Sequence, residues 1–305
     1  MLQQPSFSYY QNTKATRPGS YAEITTIAFA PVMQPNNAIG FIPVKVPIPQ
    51  KVTLGPIIGK VTHSTARVLV EFAQYGFETL SLVAPDGKRI HCQRQVIANR
   101  PTVFTFTGLE SNTVYKVVSA YKFQCSSSFK TLSQGSAPLR FAFVSCNSRR
   151  SYNQYNNTNN LWGDLAVRAV NNQVDYIIHL GDQIYADYYN DVYDRCIALL
   201  KKTPKLNWPK IAENIRELIR EEYRLTFGGR LQAIALANCP HLMQLDDHEV
   251  RDDLGFRPED SDPNTVDGFY VQQARYVYYE YQRQLREGID LVTSIKFNMN
   301  SMLIF

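Results

Sequence analysis

The stretch DYIIHLGDQIY, residues 175–185, contains an apolar run that ends abruptly at Gly181 and Asp182. Its apolar part predicts a buried β-strand, with the glycine and the carboxylate directly at the carboxyl end. Two further runs have the same form: FAFVSC, residues 141–146, ends in a thiol, and LMQLDDHE, residues 242–249, ends in carboxylates and a histidine. Ligands of an open α/β sheet bind at the carboxyl ends of its strands. The three runs therefore predict a site at one edge of a parallel sheet.

The second half of the chain alternates these strands with helical patterns, which predicts an α/β domain with a largely parallel sheet. Amphipathic helices are predicted over residues 161–174, 211–226 and 267–285. The last of them contains five tyrosines, and their helical spacing predicts packing along the helix with the phenol groups at the surface. These tyrosines stand at positions 270, 276, 278, 279 and 281.

The first half of the chain has a different pattern, of short alternating strands separated by turn signals. Residues 66–72 alternate well enough for a strand, and Asp86-Gly87 predicts a hairpin turn, since glycine accepts a positive φ without steric cost. Strands at this spacing predict a β-sandwich of the immunoglobulin or fibronectin type III kind over residues 51–132.

The domain division follows from these two patterns. Residues 1–50 are dotted with prolines and predict an irregular N-terminal lead-in, ahead of the β-sandwich at 51–132. A serine- and glycine-containing stretch at 133–136 predicts a linker, and the α/β domain is predicted over 138–305. The last strand of that domain is predicted at residues 291–297.

Composition and charge exclude several classes of protein. A hydrophobic content of 44% and a charged content of 19% are ordinary for a globular chain. No run approaches the roughly 20 apolar residues of a membrane span, and the N-terminus lacks a signal-peptide pattern, so a cytoplasmic location is favoured.

Residues 1–140 hold 14 Lys and Arg against 5 Asp and Glu, but these charges are dispersed, which disfavours nucleic-acid binding. Five cysteines without a CxxC pair exclude a zinc ribbon.

Asp182 stands where a carboxylate is able to bridge two cations. A bridged pair about 3.5–4 Å apart activates a water and clamps a phosphoryl group. Tyr185, three residues later, is able to coordinate a trivalent metal as a phenolate. The same residues also fit an ordinary strand-end turn and a packed tyrosine, and the Gly-Asp pair alone does not decide between the two interpretations.

The run Asp246-Asp247-His248-Glu249 places four ionisable groups next to an apolar strand. Such groups are costly near a core without a counter-charge, and a metal ion supplies one. A histidine beside a bound phosphate is also able to donate a proton to the leaving oxygen. A solvated acidic turn is the alternative. Cys146 likewise fits either a thiolate ligand suited to iron or zinc, or a small buried hydrophobe.

Together these motifs resemble the alkaline phosphatase D (PhoD-like) family of the calcineurin-like metallophosphatase superfamily. The resemblance covers roughly residues 51–290 and rests on the three strand ends in their order along the chain. It implies an αββα metallophosphatase domain, preceded by a β-sandwich, that hydrolyses small-molecule phosphate esters by a metal-activated hydroxide. It implies iron and calcium as cofactors, with other divalent metals as alternatives, and it leaves protein partners unknown.

The resemblance also implies roles for individual residues. Cys146 and Tyr185 would bind the iron, and Asp182 would bridge the metals. Asp247 takes the position of a metal-binding asparagine in the superfamily motif. His248 would contact the phosphate or protonate the leaving group, so that Asp182 and His248 are the predicted catalytic residues.

The sequence departs from the family pattern at two places. An Asn-Asp pair is common shortly after the acidic motif of the family, where this chain has Arg251-Asp252-Asp253. The superfamily also takes further ligands, usually histidines, from later strands, whereas the last histidine here is His248. The resemblance therefore predicts one side of a two-metal site in a C-terminally truncated member. A phosphatase-like protein that binds metal, phosphate or a partner without turnover stays open as the alternative.

Overall fold

The computed structural model describes most of the chain after residue 50, together with the backbone of two strands before it. The side chains described are those of residues 51–148, 161–188 and 192–286. Contacts divide the chain into one unit of residues 1–50 and another of residues 51–305. The predicted strand at 291–297 lies outside the described residues.

The first unit contains an antiparallel hairpin. Strand β1 (Ile24–Met33) pairs with β2 (Ile39–Ile48), with Ile24 opposite Ile48. The prediction of an irregular lead-in is wrong over these twenty residues. Each strand of a two-stranded hairpin has a free edge, and an edge strand tolerates proline, so Pro31 and Pro43 do not prevent pairing.

Seven strands after residue 50 form two antiparallel sheets. The three-stranded sheet has the order β3-β4-β7, and the four-stranded sheet has the order β6-β5-β8-β9. Asp86-Gly87 joins β5 to β6 with a φ of 86° at Gly87, which confirms the predicted turn. The strands are β3 (Val52–Val61), β4 (Thr65–Phe72), β5 (Gly76–Val83), β6 (Arg89–Val96), β7 (Pro101–Thr107), β8 (Val114–Ser119) and β9 (Ser128–Lys130).

The three-stranded sheet is buried on both of its faces. On one face Val68 and Phe104 pack with residues of the four-stranded sheet in a shared apolar core. On the other face Leu69 and Val103 belong to a second core, which they share with the helices. Full burial of one such side chain stabilises the fold by about 1.5–3 kcal/mol. Because apolar side chains are buried on both faces, the sheet forms a middle layer between the four-stranded sheet and the helices. The immunoglobulin or fibronectin type and the division between 51–132 and 138–305 stay predictions.

The remaining strands form the predicted parallel sheet, in the order β10-β11-β12. Mixed α/β content is therefore confirmed, while the four-layer αββα arrangement stays a prediction. No helix within the described residues is long and apolar enough to cross a membrane. The strands are β10 (Phe141–Val144), β11 (Tyr176–His179) and β12 (His241–Met243), and the main helices are α1 (Leu161–Val170), α2 (Val192–Lys202), α3 (Trp208–Phe227), α4 (Arg230–Asn238) and α5 (Val266–Tyr278).

The register of the parallel sheet aligns the three strand ends. Val144 lies opposite His179, and His179 lies opposite Met243. The segments that follow the three strands therefore leave the sheet at the same edge, as the sequence predicts.

Helix α5 continues into a π-helical turn, Tyr279–Arg283, and a final short turn, α6 (Gln284–Arg286). The prediction that its phenol groups lie at the surface is wrong for Tyr270 and Tyr281, which are fully buried. The Tyr270 hydroxyl donates to the Val250 carbonyl at 3.0 Å, and the Tyr281 hydroxyl donates to Glu71. These acceptors inside the core compensate for the loss of hydration of the two hydroxyls.

A buried pair of histidines joins β11 to β12 inside the parallel sheet. His179 Nε2 and His241 Nδ1 are 2.8 Å apart, and His241 Nε2 lies 3.1 Å from the Ala235 carbonyl oxygen. Burial lowers the pKa of His241 to about 4, and burial together with His241 lowers the pKa of His179 well below its usual value. Both imidazoles are therefore neutral at pH 7.

This pair predicts acid sensitivity of the fold. Between about pH 6.5 and pH 4 the unfolded chain binds protons that the folded chain excludes, so the free energy of unfolding falls as the pH falls. Across this pH window, the free energy of unfolding of the His241→Gln variant should fall by up to about 3 kcal/mol less than that of the wild type. Urea unfolding at several pH values measures it, with the exposed His63→Gln as the control. If the free energy of unfolding of His241→Gln varied with pH as steeply as that of the wild type, the conclusion that His241 is buried as a neutral imidazole would be contradicted.

Candidate metal centre

The segments after β10 and β11 bend sharply and bond to each other. Gly181, Asp182 and Cys146 have positive φ angles of 117°, 57° and 53°. The Cys146 amide donates to the Gly181 carbonyl at 3.2 Å, and the Asn147 amide donates to that of Asp182 at 2.7 Å. A Cβ added to Gly181 would lie 2.3 Å from the Asp246 Cβ, so only glycine permits the segment after β12 to approach this closely.

Asp182 lies at the centre of the resulting cluster and is 5% exposed. Its Oδ2 accepts from the Cys146 thiol at 3.4 Å and from the Tyr185 hydroxyl at 3.4 Å. Its Oδ1 accepts from the His248 backbone amide, also at 3.4 Å. The carboxylate therefore lies between groups from all three strand ends.

Three side chains of the cluster are close enough to share one cation. Ligand atoms of Asp182, Asp247 and His248 all lie within 4.8 Å of one another. Cys146 and Tyr185 flank the same Asp182 oxygen, so the five residues singled out in the sequence come together. Carboxylate, imidazole and thiol groups are established ligands of transition metals. The individual ligand roles stay predictions.

Electrostatics favours a cation among these groups. Burial raises the pKa of the Asp182 carboxyl, and nearby Asp246 and Asp247 raise it further, against lowering contributions from Cys146 and His248. Burial and the Asp182 charge also raise the pKa of the Tyr185 phenol above its usual value. Both shifts reflect an excess of negative charge in a partly dry site, which a metal ion would compensate.

His248 is oriented by Asp187, a residue that the sequence motifs do not include. The His248 Nδ1 lies 2.9 Å from one Asp187 oxygen and 3.1 Å from the other, and the Tyr185 ring lies 4.3 Å from the imidazole ring. Burial lowers the pKa of His248, but the Asp187 hydrogen bond and charge outweigh it, so the pKa is raised. The proton on Nδ1 is thereby held toward Asp187, which leaves Nε2 as the other functional nitrogen.

Glu249 fixes the segments that carry these groups. Its fully buried carboxylate accepts from the backbone amides of Gln183 at 2.6 Å and Asp246 at 2.9 Å, and from that of Asp182 at 3.3 Å. Burial raises the pKa of Glu249 to about 7, and the amide hydrogen bonds oppose the rise. The sequence motif contains this residue, but no pattern reveals that it bonds to the segment after β11.

A cavity of about 510 Å³ opens beside His248. Most of its charged and phenolic groups are already engaged: Arg251 binds the buried Asp260, and the Tyr193 hydroxyl donates to Asp267 at 2.6 Å. Arg257 at the rim is exposed. The lining residues are Asp187, Tyr188, Tyr193, His248, Arg251, Asp252 and Arg257.

A parallel sheet whose strand ends gather carboxylates, a histidine and a thiol is typical of a metal-dependent hydrolase. The family model of PhoD-like phosphatases matches residues 141–297, slightly more than half of the chain. The chain belongs to the PhoD-like phosphatase family, whose members are metal-dependent.

The solved structure of PhoD is similar in fold to this chain, with a TM-score of 0.52 and 18% sequence identity. The similarity covers 76% of this chain and 46% of PhoD, so the chain spans about half the length of that protein. No curated protein has a significantly similar sequence.

The Glu249 hydrogen bonds predict a large loss of stability when its carboxylate is removed. Glu249→Ala leaves at least two buried amide donors unpaired, each at a cost of about 1–3 kcal/mol, so the free energy of unfolding should fall by about 3 kcal/mol or more. Chemical denaturation measures the loss. The exposed Glu259→Ala should change stability by no more than about 0.5 kcal/mol. Equal effects of the two substitutions would contradict the role assigned to Glu249.

Proposed function

We propose that this chain hydrolyses phosphate esters in a metal-dependent reaction of the alkaline phosphatase or phosphodiesterase type. The observation that carries the proposal is the convergence of Asp182, Asp247 and His248 within 4.8 Å at the carboxyl edge of a parallel sheet. Membership of the PhoD-like phosphatase family supports the same reaction class.

The proposed cofactors are iron and calcium. Cys146 and Tyr185 would hold the iron, Asp182 would lie between the two metals, and Asp247 would bind a metal through its carboxylate. Because burial and the Asp182 charge raise the pKa of the Tyr185 phenol, coordination as a phenolate would require a strongly acidic, trivalent ion at that side. When bound, the metals supply an activated water and neutralise the charge that develops on the phosphoryl oxygens.

His248 is the proposed proton donor to the leaving oxygen. Asp187 stabilises the protonated imidazole and fixes its orientation through Nδ1, which directs Nε2 away from Asp187. A protonated histidine within hydrogen-bond reach of the leaving oxygen typically contributes about 10²–10⁴-fold to the rate. Asp187 acts through His248 and is therefore a positioning residue.

The cavity beside His248 is the proposed position of the leaving alcohol. It adjoins the imidazole that would donate the proton, and its volume of about 510 Å³ lies within the range of sites for small organic ligands. Tyr188 and Tyr193 offer aromatic surface, and Arg257 offers a positive charge at the rim.

Hydrolysis of p-nitrophenyl phosphate and bis(p-nitrophenyl) phosphate from pH 7 to 10, with iron and calcium present, tests the proposed reaction. Asp182→Asn and His248→Ala should each lower kcat/KM by about 10²–10⁴-fold, because they remove a metal-bridging carboxylate and the proton donor. The exposed Asp194→Asn and His63→Ala are matched controls and should retain full activity. A background rate shared by the wild type and the site variants would refute turnover by this chain.

The alternative is a phosphatase-like protein that binds metal or phosphate without turnover. It is favoured by the small donor set within the described residues, where the clustered carboxylate and histidine ligands are Asp182, Asp247 and His248. Metal binding that Asp182→Asn abolishes, combined with no hydrolysis by the wild type, would support this alternative. Activity that the same substitution abolishes would exclude it.

Arg257 predicts a preference among leaving groups. Arg257→Ala should raise KM for 4-carboxyphenyl phosphate severalfold, because a carboxylate on the leaving group loses a cationic partner at the cavity rim. The KM for p-nitrophenyl phosphate, whose leaving group lacks that charge, should change by less than twofold. Equal changes for both substrates would place the leaving group outside this cavity.

A further inference from the structure

The π-helical turn Tyr279–Arg283 buries three consecutive polar side chains. Glu280, Tyr281 and Gln282 are 3%, 0% and 0% exposed. In an α-helix successive side chains are about 100° apart, so three in a row would cover more than half of the circumference. The wider π turn keeps all three on the inner side, and such turns occur frequently at functional sites.

The Gln282 amide bonds to both segments that carry the metal-centre residues. Its Nε2 donates to Glu249 Oε1 at 3.2 Å and to the Tyr223 hydroxyl at 3.0 Å. Its Oε1 accepts from Gln183 Nε2 at 3.1 Å. Gln183 follows Asp182 directly, and Glu249 follows His248 directly, so one side chain connects the two segments.

The neighbours of Gln282 attach the π turn to the rest of the protein. The Tyr281 hydroxyl donates to Glu71 of β4, whose other oxygen accepts from Arg224 at 2.9 Å. Glu280 accepts two hydrogen bonds from Arg220 of α3, at 2.6 and 2.9 Å. The π turn is thus held on one side by the three-stranded sheet and on the other by helix α3.

The chain after the π turn lies directly against the same sheet. A Cβ added to Gly59 of β3 would lie 2.4 Å from the Leu285 carbonyl oxygen, so the two backbones are in close contact. Arg67 of β4 donates to the Gln284 carbonyl at 2.9 Å, and the Gln284 amide donates to the Pro101 carbonyl at 3.3 Å. These contacts leave the π turn little freedom to shift along its axis.

We propose that Gln282 is a positioning residue for the metal centre, and that the three-stranded sheet holds it in place through Glu71 and Tyr281. The sheet then helps to set the separation between the Asp182 segment and the segment of Asp247 and His248. The proposal rests on the proposed function only in treating Asp182 and Asp247 as metal ligands and His248 as the proton donor beside them. Its structural content, the coupling of the two segments through Gln282, stands independently.

Hydrogen exchange and calcium titration of Gln282→Met test the proposal. Methionine has nearly the volume of glutamine but removes three hydrogen bonds. The amides of Asp182, Gln183 and Asp246, which donate to Glu249, should exchange about tenfold faster or more, while those of the four-stranded sheet keep the wild-type rate. The Kd for Ca²⁺, measured by calorimetry, should rise by about 10- to 100-fold, as for other residues that orient metal ligands.

Gln273→Met is the matched control. Gln273 is likewise buried but lies in helix α5, and its amide bonds to Arg216 and to the Phe269 carbonyl, away from the candidate metal centre. The Gln273→Met substitution should leave the hydrogen-exchange rates of the amides at 182–183 and the Kd for Ca²⁺ unchanged, even where it lowers Tm. Equal exchange at these amides in the Gln282→Met and Gln273→Met proteins would overturn the proposal.

Tyr281→Phe is a milder second variant, because it removes one hydroxyl and preserves the ring that stacks on Tyr223 at 4.5 Å. It should speed exchange at the same amides by a smaller factor, and unchanged rates would refute the role of the sheet. If the wild type binds no Ca²⁺, the metal assignment of the proposed function fails. The exchange comparison still decides the positioning role of Gln282.

Discussion

The buried carboxylate of Glu249 is the interaction on which the site depends. Two segments from different strands, one after β11 and one after β12, donate backbone amides to its two oxygens. Asp182 directly precedes Gln183 in the chain, and His248 directly precedes Glu249. Their relative position therefore depends on one shared acceptor, the Glu249 carboxylate. Burial disfavours a carboxylate in the core and raises the pKa of Glu249, and the hydrogen bonds to both of its oxygens oppose that cost.

A second buried carboxylate, that of Glu71, has a similar role one layer away. It lies near the carboxyl end of β4, the central strand of the three-stranded sheet, and binds Arg224 of α3 and Tyr281 of the π turn. Because this sheet is apolar on both faces, the helices and the four-stranded sheet are both packed on it. The β-rich part is therefore structurally continuous with the part that carries the candidate metal centre, and the two buried carboxylates are linked through Tyr281 and Gln282.

The features that the sequence predicts well are those with a local signature. An apolar run that ends in polar ligands marks a strand end, and parallel pairing brings such ends together, which is why Cys146, Asp182 and His248 are identifiable. Asp187 and Gln282 escape prediction because each acts through a partner far along the chain, with no spacing to mark it. The prediction that the Tyr281 phenol lies at the surface is wrong because helical periodicity identifies the buried face of a helix, but does not reveal a buried acceptor such as Glu71. The hairpin of β1 and β2 is not predicted from the sequence because the prolines in this region indicate irregular structure more strongly than the other residues indicate strands.

Metal binding at the Asp182 carboxylate, with Asp247, Cys146 and Tyr185 as the other proposed ligands, is the central requirement of the proposed function. The most direct measurement is anomalous X-ray scattering from crystals grown with iron and calcium, recorded at and below the iron edge. An iron peak is expected next to the Asp182 carboxylate, on the side of Cys146 and Tyr185, and it should be absent from crystals of Asp182→Asn. A wild-type map without anomalous density at these residues, or with metal bound only elsewhere on the protein, would contradict the assignment.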